Sequence, residues 1–389
     1  MRLCVVSFKP CWRDGSGRWR SDGGFPLQIS ALASLFDSAT VLTVVVPERA
    51  GGIPLSGAIR VVGVPAPRGD DLRRKLSVAG HLPQYLASFA RHFREADVVH
   101  TPLPGDLPLI GLLLAMTMRK KIVARYGGSW APTARTTLFN RITRGLLRGA
   151  AGGSRVMLAT GEAPVGGDGR VQFIFSTALS EEELRRIDAR TGRSLSDPPR
   201  LVYVGRLSPE KGVPVLLRAI AAVAAGLGPR TPRLALVGDG PQRRELETLV
   251  VSLGCSAFVT FEGQKTRDEL SGELSSADLC VQPSLTEGFS KAWLDAMAHG
   301  LPVLSSDVGA ARAVLGSPGE RGWLVPPGDS DALAEAIRRV LAGGFDWPAL
   351  RERCRAYVEG RTLESWAAAI GGICARQWGL RLVAGKLVA

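Results

Sequence analysis

The chain alternates short apolar runs with longer segments in which apolar residues recur every three or four positions. In the first half, the apolar runs include Leu3 to Phe8 and Val41 to Val46. The second half repeats the alternation, with runs at Leu201 to Val204 and Pro302 to Ser305. Apolar strands separated by helices are typical of parallel sheets that are covered on both faces. The pattern therefore predicts an α/β chain with two doubly wound parallel sheets.

The segment between the two halves has the composition of an interdomain linker. It is charged and ends near the sequence SLSDPPR, which supplies Pro and Ser. The length of 389 residues also favours two domains, at roughly 150 residues each. We expect a first domain over 1–180, a linker over 181–199 and a second domain over 200–346. The helical segment 347–389 is a candidate to cross back to the first domain.

Composition and charge narrow the class of protein. Hydrophobic residues make up 45% and charged residues 22%, as in ordinary globular proteins. The net charge is +13, and residues 1–200 contribute +12 of it. A basic half indicates a phosphate-rich partner or a membrane surface. The near-neutral second half argues against a chain covered by nucleic acid, and we expect no nucleic-acid partner.

The cysteines and histidines form no metal-binding pattern. Six cysteines include no CxxC pair, and four histidines are scattered, so we expect buried thiols and no metal site. The N-terminal apolar stretch is interrupted too early for a signal peptide. The longest apolar run, Leu107 to Met118, falls short of the ~20 residues of a membrane span. We expect a cytoplasmic protein that is soluble or lies on a membrane.

The sequence GRLSPEKG, Gly205 to Gly212, follows a predicted strand and precedes a predicted helix. Loops at the carboxyl ends of parallel strands bind ligands in open α/β sheets. Arg206 and Lys211 are both able to reach one diphosphate, Arg as a bidentate donor and Lys as a movable charge. The alternative is a solvated charged turn. A second loop, LVGDGPQ, contains Gly238 and Asp239 and is either a tight connection or part of the same site.

The stretch QPSLTEGFSKAWLDAMAHG follows another predicted strand and predicts a helix from near Phe289 to Gly300. Free N–H groups at such a helix start bind phosphate. Asp295 lies about 9 Å further along the helix axis, which suits a ribose contact. Glu287 precedes the helix and is free to face a sugar ring. The alternatives are a helix-dipole role for Glu287 and an exposed surface position for Asp295.

These motifs, together with WLVPPGD, resemble the donor-binding half of the family-4 retaining glycosyltransferases of GT-B fold, over about residues 200 to 342. The resemblance implies two Rossmann-like domains that face a central cleft, a nucleotide-sugar donor, and neither a metal nor another cofactor. The family's Glu, seven residues, Glu motif corresponds here to Glu287 and Asp295. The resemblance also implies donor contacts from a group of loop residues, namely Gly205, Gly238, Gly288, Phe289 and Ser290.

The first half resembles the family less closely. The sequence SDGGFPLQI places Gly23 and Gly24 where the family has its glycine loop at the cleft. His100 ends a strand and loop that resemble the family's, and it is either a core histidine or a site residue. In many members a further His precedes a Gly after the next strand, but here the sequence is ARYGGSW. The resemblance therefore implies that Tyr126 or Arg125 substitutes for that His.

The function predicted is that of a metal-independent hexosyltransferase which retains anomeric configuration. Arg206, Lys211 and the helix start near Phe289 would stabilise the leaving diphosphate, and Glu287 would orient the sugar of a UDP- or GDP-sugar. The acceptor is a lipid-linked intermediate, a saccharide or a small natural product. A sugar-nucleotide epimerase and a non-catalytic sugar- or nucleotide-binding relative are the alternatives.

The sequence RTTLFNRITRGLLR, Arg135 to Arg148, predicts an amphipathic cationic helix. Leu138, Ile142 and Leu146 form its apolar stripe, and the arginines occupy most of the remaining positions. One interpretation is a helix that packs this stripe on its own sheet. The other is a surface that binds anionic lipid on the cytoplasmic membrane face, where a lipid-linked acceptor would be presented.

Overall fold

A computed structural model of the chain describes residues 1–69, 71–130, 137–161, 169–227 and 231–388. The chain divides into two compact units. Unit 1 comprises Met1–Ala178 and Leu363–Ala389, and unit 2 comprises Leu179–Thr362. Each contains one large sheet of parallel strands with helices on both faces. The two doubly wound sheets predicted from the sequence are confirmed.

Unit 1 is built on a seven-stranded parallel sheet in the order β10-β9-β8-β7-β1-β4-β6. Its elements up to the last sheet strand are β1 (Arg2–Val6), β2 (Cys11–Arg13), β3 (Trp19–Ser21), α1 (Phe25–Ala33), β4 (Ser38–Val44), β5 (Ile53–Pro54), β6 (Ile59–Val64), α2 (Asp71–Gly80), α3 (Leu82–Glu95), β7 (Val98–Leu103), α4 (Asp106–Thr117), β8 (Lys121–Tyr126), α5 (Leu138–Ala150), β9 (Arg155–Thr160) and β10 (Gln172–Ile174). Strands β2, β3 and β5 form a separate small sheet.

Unit 2 is built on a six-stranded parallel sheet in the order β13-β12-β11-β14-β15-β16. Its elements are α6 (Glu181–Arg186), β11 (Arg200–Val204), a 3-10 turn (Pro209–Lys211), α7 (Val213–Leu227), β12 (Arg233–Val237), α8 (Arg243–Ser252), β13 (Val259–Gly263), α9 (Arg267–Ser276), β14 (Leu279–Gln282), α10 (Lys291–Ala298), β15 (Val303–Ser306), α11 (Ala311–Leu315), β16 (Gly322–Val325), α12 (Ser330–Leu341) and α13 (Trp347–Val358). The chain then returns to unit 1 with α14 (Leu363–Trp378), β17 (Arg381–Val383) and β18 (Lys386–Val388).

The unit boundaries differ from the segments expected from the sequence. Residues 181–199, expected as a linker, belong to unit 2, which begins at Leu179. Arg193 of this segment donates a hydrogen bond to the buried Asp278 carboxylate at 3.0 Å. Helix α13 also belongs to unit 2, because its fully buried Arg351 donates to the Arg193 carbonyl at 3.0 Å. Within unit 1, α14 packs Trp366 into the core beneath β7, β8 and β9.

Helix α5 presents a different face to the sheet from the one that its apolar stripe predicts. Thr143, Arg144 and Leu147 are buried, whereas Leu138 and Ile142 are 72% and 60% exposed. The Arg144 guanidinium is buried because it donates to the backbone carbonyl of Trp130. The prediction that the helix packs its apolar stripe on the sheet is wrong for these two residues. Arg135, which the sequence analysis included in this helix, lies outside the described residues.

All six cysteines are unbridged and buried, as the sequence predicted. Burial raises the pKa of the Cys280 thiol to about 12, and that of Cys374 likewise to about 12, so neither is a thiolate at neutral pH. Across the described part of the chain, no helix combines the length and the apolar character that a membrane crossing needs.

Candidate functional site

Three loops of unit 2, which follow β11, β12 and β14, lie at the carboxyl edge of its sheet. Strand β11 is central, and the chain adds β12 on one side of it and β14 on the other. Strands β11 and β14 therefore flank the point where the strand order reverses, which is where open α/β sheets form their ligand crevice. The loops that follow these strands are 205–212 and 283–290. They carry most of the residues that the sequence analysis selected.

The loop 205–212 is held by contacts between backbones. Gly212 has a φ of +66°, and a Cβ at this position would lie 2.1 Å from the Pro283 carbonyl oxygen. Only glycine fits there, because both the conformation and the space exclude a side chain. The Leu285 N–H donates to the Glu210 carbonyl at 2.9 Å, which joins the two loops again. Lys211 thereby occupies a fixed position at the end of the 3-10 turn.

Gly238, which follows β12, fixes the position of the same loop from its other side. Its φ is +132°, and a Cβ would lie 1.9 Å from the Gly205 carbonyl oxygen. The neighbouring Leu207 N–H donates to the Asp239 carbonyl at 3.0 Å. The role of Gly238 is thus a close backbone approach, and Asp239 contributes through its backbone. Arg206 lies between these contacts with its side chain exposed.

Lys211 and Glu287 form an ion pair across the two loops, with side chains that are 23% and 15% exposed. The sequence analysis assigned Lys211 to a diphosphate and Glu287 to a sugar, and the structure brings the two groups into direct contact. Gly288 follows Glu287 and accepts a hydrogen bond from the Ala310 N–H at 3.0 Å. The partly buried Lys211, the exposed Arg206 and the Glu287 carboxylate therefore all lie on the loops at the point where the strand order reverses.

Helix α10 begins later than the sequence predicts. It spans Lys291–Ala298, so its first residue lies two positions beyond Phe289. Phe289 instead packs against Trp293, with ring centroids 5.7 Å apart, and is buried before the helix starts. Ser290 is the N-cap residue with an extended backbone, although its hydroxyl makes no capping hydrogen bond. At the other end, Gly300 lies two positions past the helix with a φ of +69°.

Asp295 on α10 is buried, with 7% of the residue exposed, and not a solvent-facing helix residue. Its Oδ1 accepts from the Arg267 guanidinium at 3.1 Å, and the same guanidinium contacts the Glu183 carboxylate at 2.6 Å. Burial disfavours the charge on Arg267, but the Asp295 and Glu183 carboxylates together raise its pKa above the ordinary value. Burial likewise raises the pKa of Glu183, against the opposing effect of Arg267.

Sequence reasoning missed Arg267 and Glu183. A signal for the first was present, because Thr266 and Glu269 form a capping box that fixes the start of α9 at Arg267. Glu183 is separated from Arg267 by 84 residues and lies in the segment expected as a linker. No local pattern relates the two positions.

The candidate residues of unit 1 are divided between two faces of its sheet. His100 on β7 is fully buried, and Arg125 on β8 is half-buried on the same face. Tyr126 points to the opposite face, where it packs edge-to-face on Trp130 with centroids 5.7 Å apart. Successive strand residues alternate in direction, so Arg125 and Tyr126 cannot share one site. Gly24 is the N-cap of α1, and Gly23 precedes it with a φ of +64°.

Among the described residues, no three His, Cys, Asp or Glu side chains are grouped as metal ligands would be. The charged groups at the edge of the unit 2 sheet include two cations, Arg206 and Lys211, and two carboxylates, those of Glu287 and Glu210, of which Glu210 accepts from the Ser208 hydroxyl. This arrangement suits a ligand with negative charge near the cations and with hydroxyl groups near the Glu287 carboxylate.

Comparisons with known proteins match the part of the chain that contains these unit 2 loops. Residues 198–343 match a family model described as glycosyl transferases group 1. The alpha-D-kanosaminyltransferase of Streptomyces kanamyceticus is 32% identical over 174 residues, which cover 45% of this chain and 43% of that protein. The 2-deoxystreptamine glucosyltransferase of the same species is 28% identical over 346 residues, which cover 80% and 87%. The chain thus aligns with less than half the length of the first relative.

Among solved structures, HepE of Anabaena in complex with UDP has a TM-score of 0.68 at 18% identity, covering 97% of this chain and all of that chain. The same protein has also been solved with UDP-glucose. This likeness defines the fold as the GT-B type, with two parallel-sheet α/β units, as the resemblance implied. The relatives named here are transferases, and none supports the epimerase interpretation.

Proposed function

We propose that this protein is a glycosyltransferase that moves a sugar from a nucleoside-diphosphate sugar, UDP- or GDP-linked, to an acceptor with retention of anomeric configuration. The observation that carries the proposal is the Lys211–Glu287 ion pair beside Arg206, at the strand-order reversal of unit 2. The match of this region to group 1 glycosyl transferases supports it. The complexes of HepE with UDP and UDP-glucose support the choice of donor.

In this proposal, positive charge performs the main catalytic task. Cleavage of the sugar–phosphate bond places a growing negative charge on the diphosphate, and preorganised cations stabilise that charge most in a water-poor site. Arg206 and Lys211 supply this positive charge. The ion pair with Glu287 holds Lys211 in position before the donor binds. Glu287 then accepts hydrogen bonds from sugar hydroxyls and orients the ring.

Because the two cations supply the charge that a metal would otherwise provide, we expect donor chemistry to be independent of metal. Incubation with a panel of UDP- and GDP-sugars should release free sugar slowly, at a rate that excess EDTA leaves unchanged. The readout is free sugar measured with and without the chelator. A rate that EDTA abolishes and that a divalent cation restores would contradict a metal-independent site.

Asp295 is proposed to bind the ribose through the oxygen that does not accept from Arg267. Replacing Asp295 with Asn should weaken nucleotide binding by about 1.5–3 kcal/mol, because a charged hydrogen-bond acceptor is lost and Arg267 loses one of its two carboxylates. Titration calorimetry with UDP and GDP measures the effect. The matched control is Asp331→Asn, at an exposed first-turn position of α12. Equal affinities for Asp295→Asn and the unsubstituted protein would remove Asp295 from the site.

For the acceptor side, we propose that unit 1 docks on the anionic cytoplasmic face of a membrane and takes a lipid-linked acceptor there. Exposed leucines alternate with cations on α2, where Leu72 and Leu76 flank Arg73 and Lys75. Helix α5 exposes Leu138 and Ile142 beside Arg141. Both helices pack on the same face of the unit 1 sheet. Anionic lipid contributes about 1 kcal/mol per nearby Lys or Arg.

Liposome sedimentation tests this docking. The protein should pellet with anionic vesicles at low salt, be released as salt screens the charges, and ignore neutral vesicles. The pair Leu138→Ser and Ile142→Ser should reduce the pelleted fraction. Val251→Ser, at an exposed apolar position on α8 of unit 2, should leave it unchanged. Protein that stays in the supernatant with anionic vesicles at low salt would favour a soluble saccharide or natural-product acceptor.

A further inference from the structure

The carboxylate of Asp295 belongs to a charged cluster that joins three helices of unit 2. Glu183 is the third residue of α6, Arg267 is the first residue of α9, and Asp295 lies on α10. The Arg267 guanidinium contacts both carboxylates. Asp295 is assigned to the ribose of the donor, but Glu183 and Arg267 have no assigned role. We call Glu183 and Arg267 the supporting pair.

Within the cluster, the guanidinium has closer contacts with Glu183 than with Asp295. Its Nε and Nη2 lie 2.9 Å and 2.6 Å from Oε1 of Glu183, whereas Nη2 lies 3.1 Å from Oδ1 of Asp295. A planar guanidinium that is held through two of its nitrogens has a defined orientation. Glu183 therefore sets the direction from which Arg267 donates to Asp295.

Glu183 is held in place by contacts that do not involve Asp295. The Ser180 hydroxyl accepts from the Glu183 N–H at 3.1 Å and caps the start of α6. Arg355 on α13 donates to the Leu184 carbonyl of α6 at 2.5 Å and to the Ala298 carbonyl of α10 at 2.7 Å. Helix α6 is thus connected to α10 at a second point. The supporting pair is therefore fixed relative to α10 before a ligand binds.

The contact with Arg267 leaves one oxygen of Asp295 for a ligand. Among the described residues, the hydrogen bond to this side chain goes to Oδ1. Oδ2 has no such partner there, and it is not among the fully buried polar atoms that lack a partner. Oδ2 is therefore accessible although the side chain as a whole is only 9% exposed. A carboxylate fixed at Oδ1 presents Oδ2 in one direction.

The charges of the cluster decide which groups Oδ2 attracts. If Asp295 were the sole partner of Arg267, the two opposite charges would offset each other. Glu183 is a second carboxylate on the same guanidinium, so the cluster retains an excess of negative charge. Hydrogen bonds to an ionised acceptor are roughly twice as strong as those between neutral groups. The excess therefore favours hydroxyl donors at Oδ2 and repels phosphate.

We propose that Glu183 and Arg267 are positioning residues that direct Oδ2 of Asp295 toward the ribose, keep it negatively charged there, and so make the site select ribose over deoxyribose. Neither residue contacts the nucleotide; both act through Asp295. The inference rests on the proposed function, because it takes a nucleoside diphosphate as the ligand, and it adds the two residues that determine how well the sugar of that nucleotide is recognised.

Titration calorimetry of the full chain with UDP and GDP, and with the 2′-deoxy and 3′-deoxy forms of each, tests this role. The ribose preference is the larger factor by which loss of one hydroxyl weakens binding. For the unsubstituted protein it should be at least about tenfold, as expected for a hydrogen bond to a charged group. A positioning role changes this ratio, whereas a general loss of stability weakens binding of all forms alike.

The decisive variant is Glu183→Gln, which keeps the size of the side chain and one acceptor oxygen but removes the charge. It should lower the ribose preference by at least about threefold, because Asp295 alone then offsets Arg267 and the guanidinium is held less firmly. Arg267→Lys is the second variant. It keeps the positive charge between the carboxylates but lacks the planar group that orients them, and it should lower the ribose preference as well.

Two controls separate positioning from charge and from helix packing. Glu182→Gln removes the same charge from an exposed neighbour on α6, whose ion pair with Arg186 spans 3.9 Å, and should keep the ribose preference. Ser271→Ala removes a contact between α9 and α10, because the Ser271 hydroxyl lies 2.8 Å from Nε2 of His299. It should lower the thermal midpoint and keep the ribose preference, since it touches neither carboxylate.

The outcomes distinguish this inference from the proposed function. An unchanged ribose preference in both Glu183→Gln and Arg267→Lys would overturn the positioning role and leave the donor site in place. An equal loss of preference in Ser271→Ala would overturn it too, because helix packing would then set the preference. If the unsubstituted protein hydrolyses nucleotide sugars without any ribose preference, the inference fails alone. If it neither binds UDP or GDP nor hydrolyses their sugars, both fail.

Discussion

Replacing Lys211 with alanine is expected to slow sugar transfer by about 30- to 1000-fold, which corresponds to about 2–4 kcal/mol of transition-state stabilisation. Two effects add. The diphosphate loses one of its two cations, and the Glu287 carboxylate, which pairs with Lys211, is left to repel the departing charge. The measurement is kcat/KM for the nucleotide sugar that the hydrolysis panel selects, together with the Kd of the matching nucleoside diphosphate.

The control for this variant is Lys386→Ala. Lys386 forms an exposed ion pair with Asp37 at 3.5 Å in unit 1, so its loss removes the same charge without touching the candidate site. It should change neither kcat/KM nor the Kd. Arg206→Ala should behave like Lys211→Ala, since both are assigned to the diphosphate. If Lys211→Ala and Arg206→Ala both keep the full rate, the assignment of this loop is wrong.

The second large effect is expected on stability. Asp278 is fully buried and accepts from Arg193 at 3.0 Å, from Arg351 at 3.4 Å and from the Arg200 N–H at 2.8 Å. Asp278→Ala leaves the fully buried Arg351 without its carboxylate, which should lower the free energy of unfolding by about 3–5 kcal/mol. Denaturant unfolding followed by circular dichroism measures the loss.

Asp188→Ala serves as the matched control. Its side chain is 82% exposed, and its ion pair with Arg190 spans 3.8 Å at the surface. Surface substitutions of this kind usually change stability by less than about 0.5 kcal/mol. An unfolding curve of Asp278→Ala that coincides with that of Asp188→Ala would mean that the buried charges are compensated in another way.

The sheets and the loops that follow their strands could be predicted because the information is local. Apolar runs mark the strands, and the residues after β11 and β14 follow directly in sequence. Parallel strands bring their carboxyl ends to one edge, so the sequence predicts that Arg206, Lys211 and Glu287 lie near each other. The direct pairing of Lys211 with Glu287, 76 residues apart, depends on loop geometry that no periodicity encodes.

Other features could not be predicted, because hydrophobic periodicity identifies an apolar face without showing what that face contacts. On α5 the buried position of Arg144 is stabilised by the Trp130 carbonyl, a partner outside the helix. A shift of one residue along a strand also moves the side chain to the opposite face of the sheet. Arg125 and Tyr126 were therefore equally good candidates in sequence, and they lie on opposite faces of the sheet.

The most direct test of the central claim is a crystal structure of the protein with a bound nucleoside diphosphate. The account predicts that the diphosphate oxygens lie within hydrogen-bond distance of both the Lys211 ammonium and the Arg206 guanidinium, between the loops that follow β11 and β14. A nucleotide bound elsewhere on the protein, with neither cation in contact with a phosphate oxygen, would contradict it.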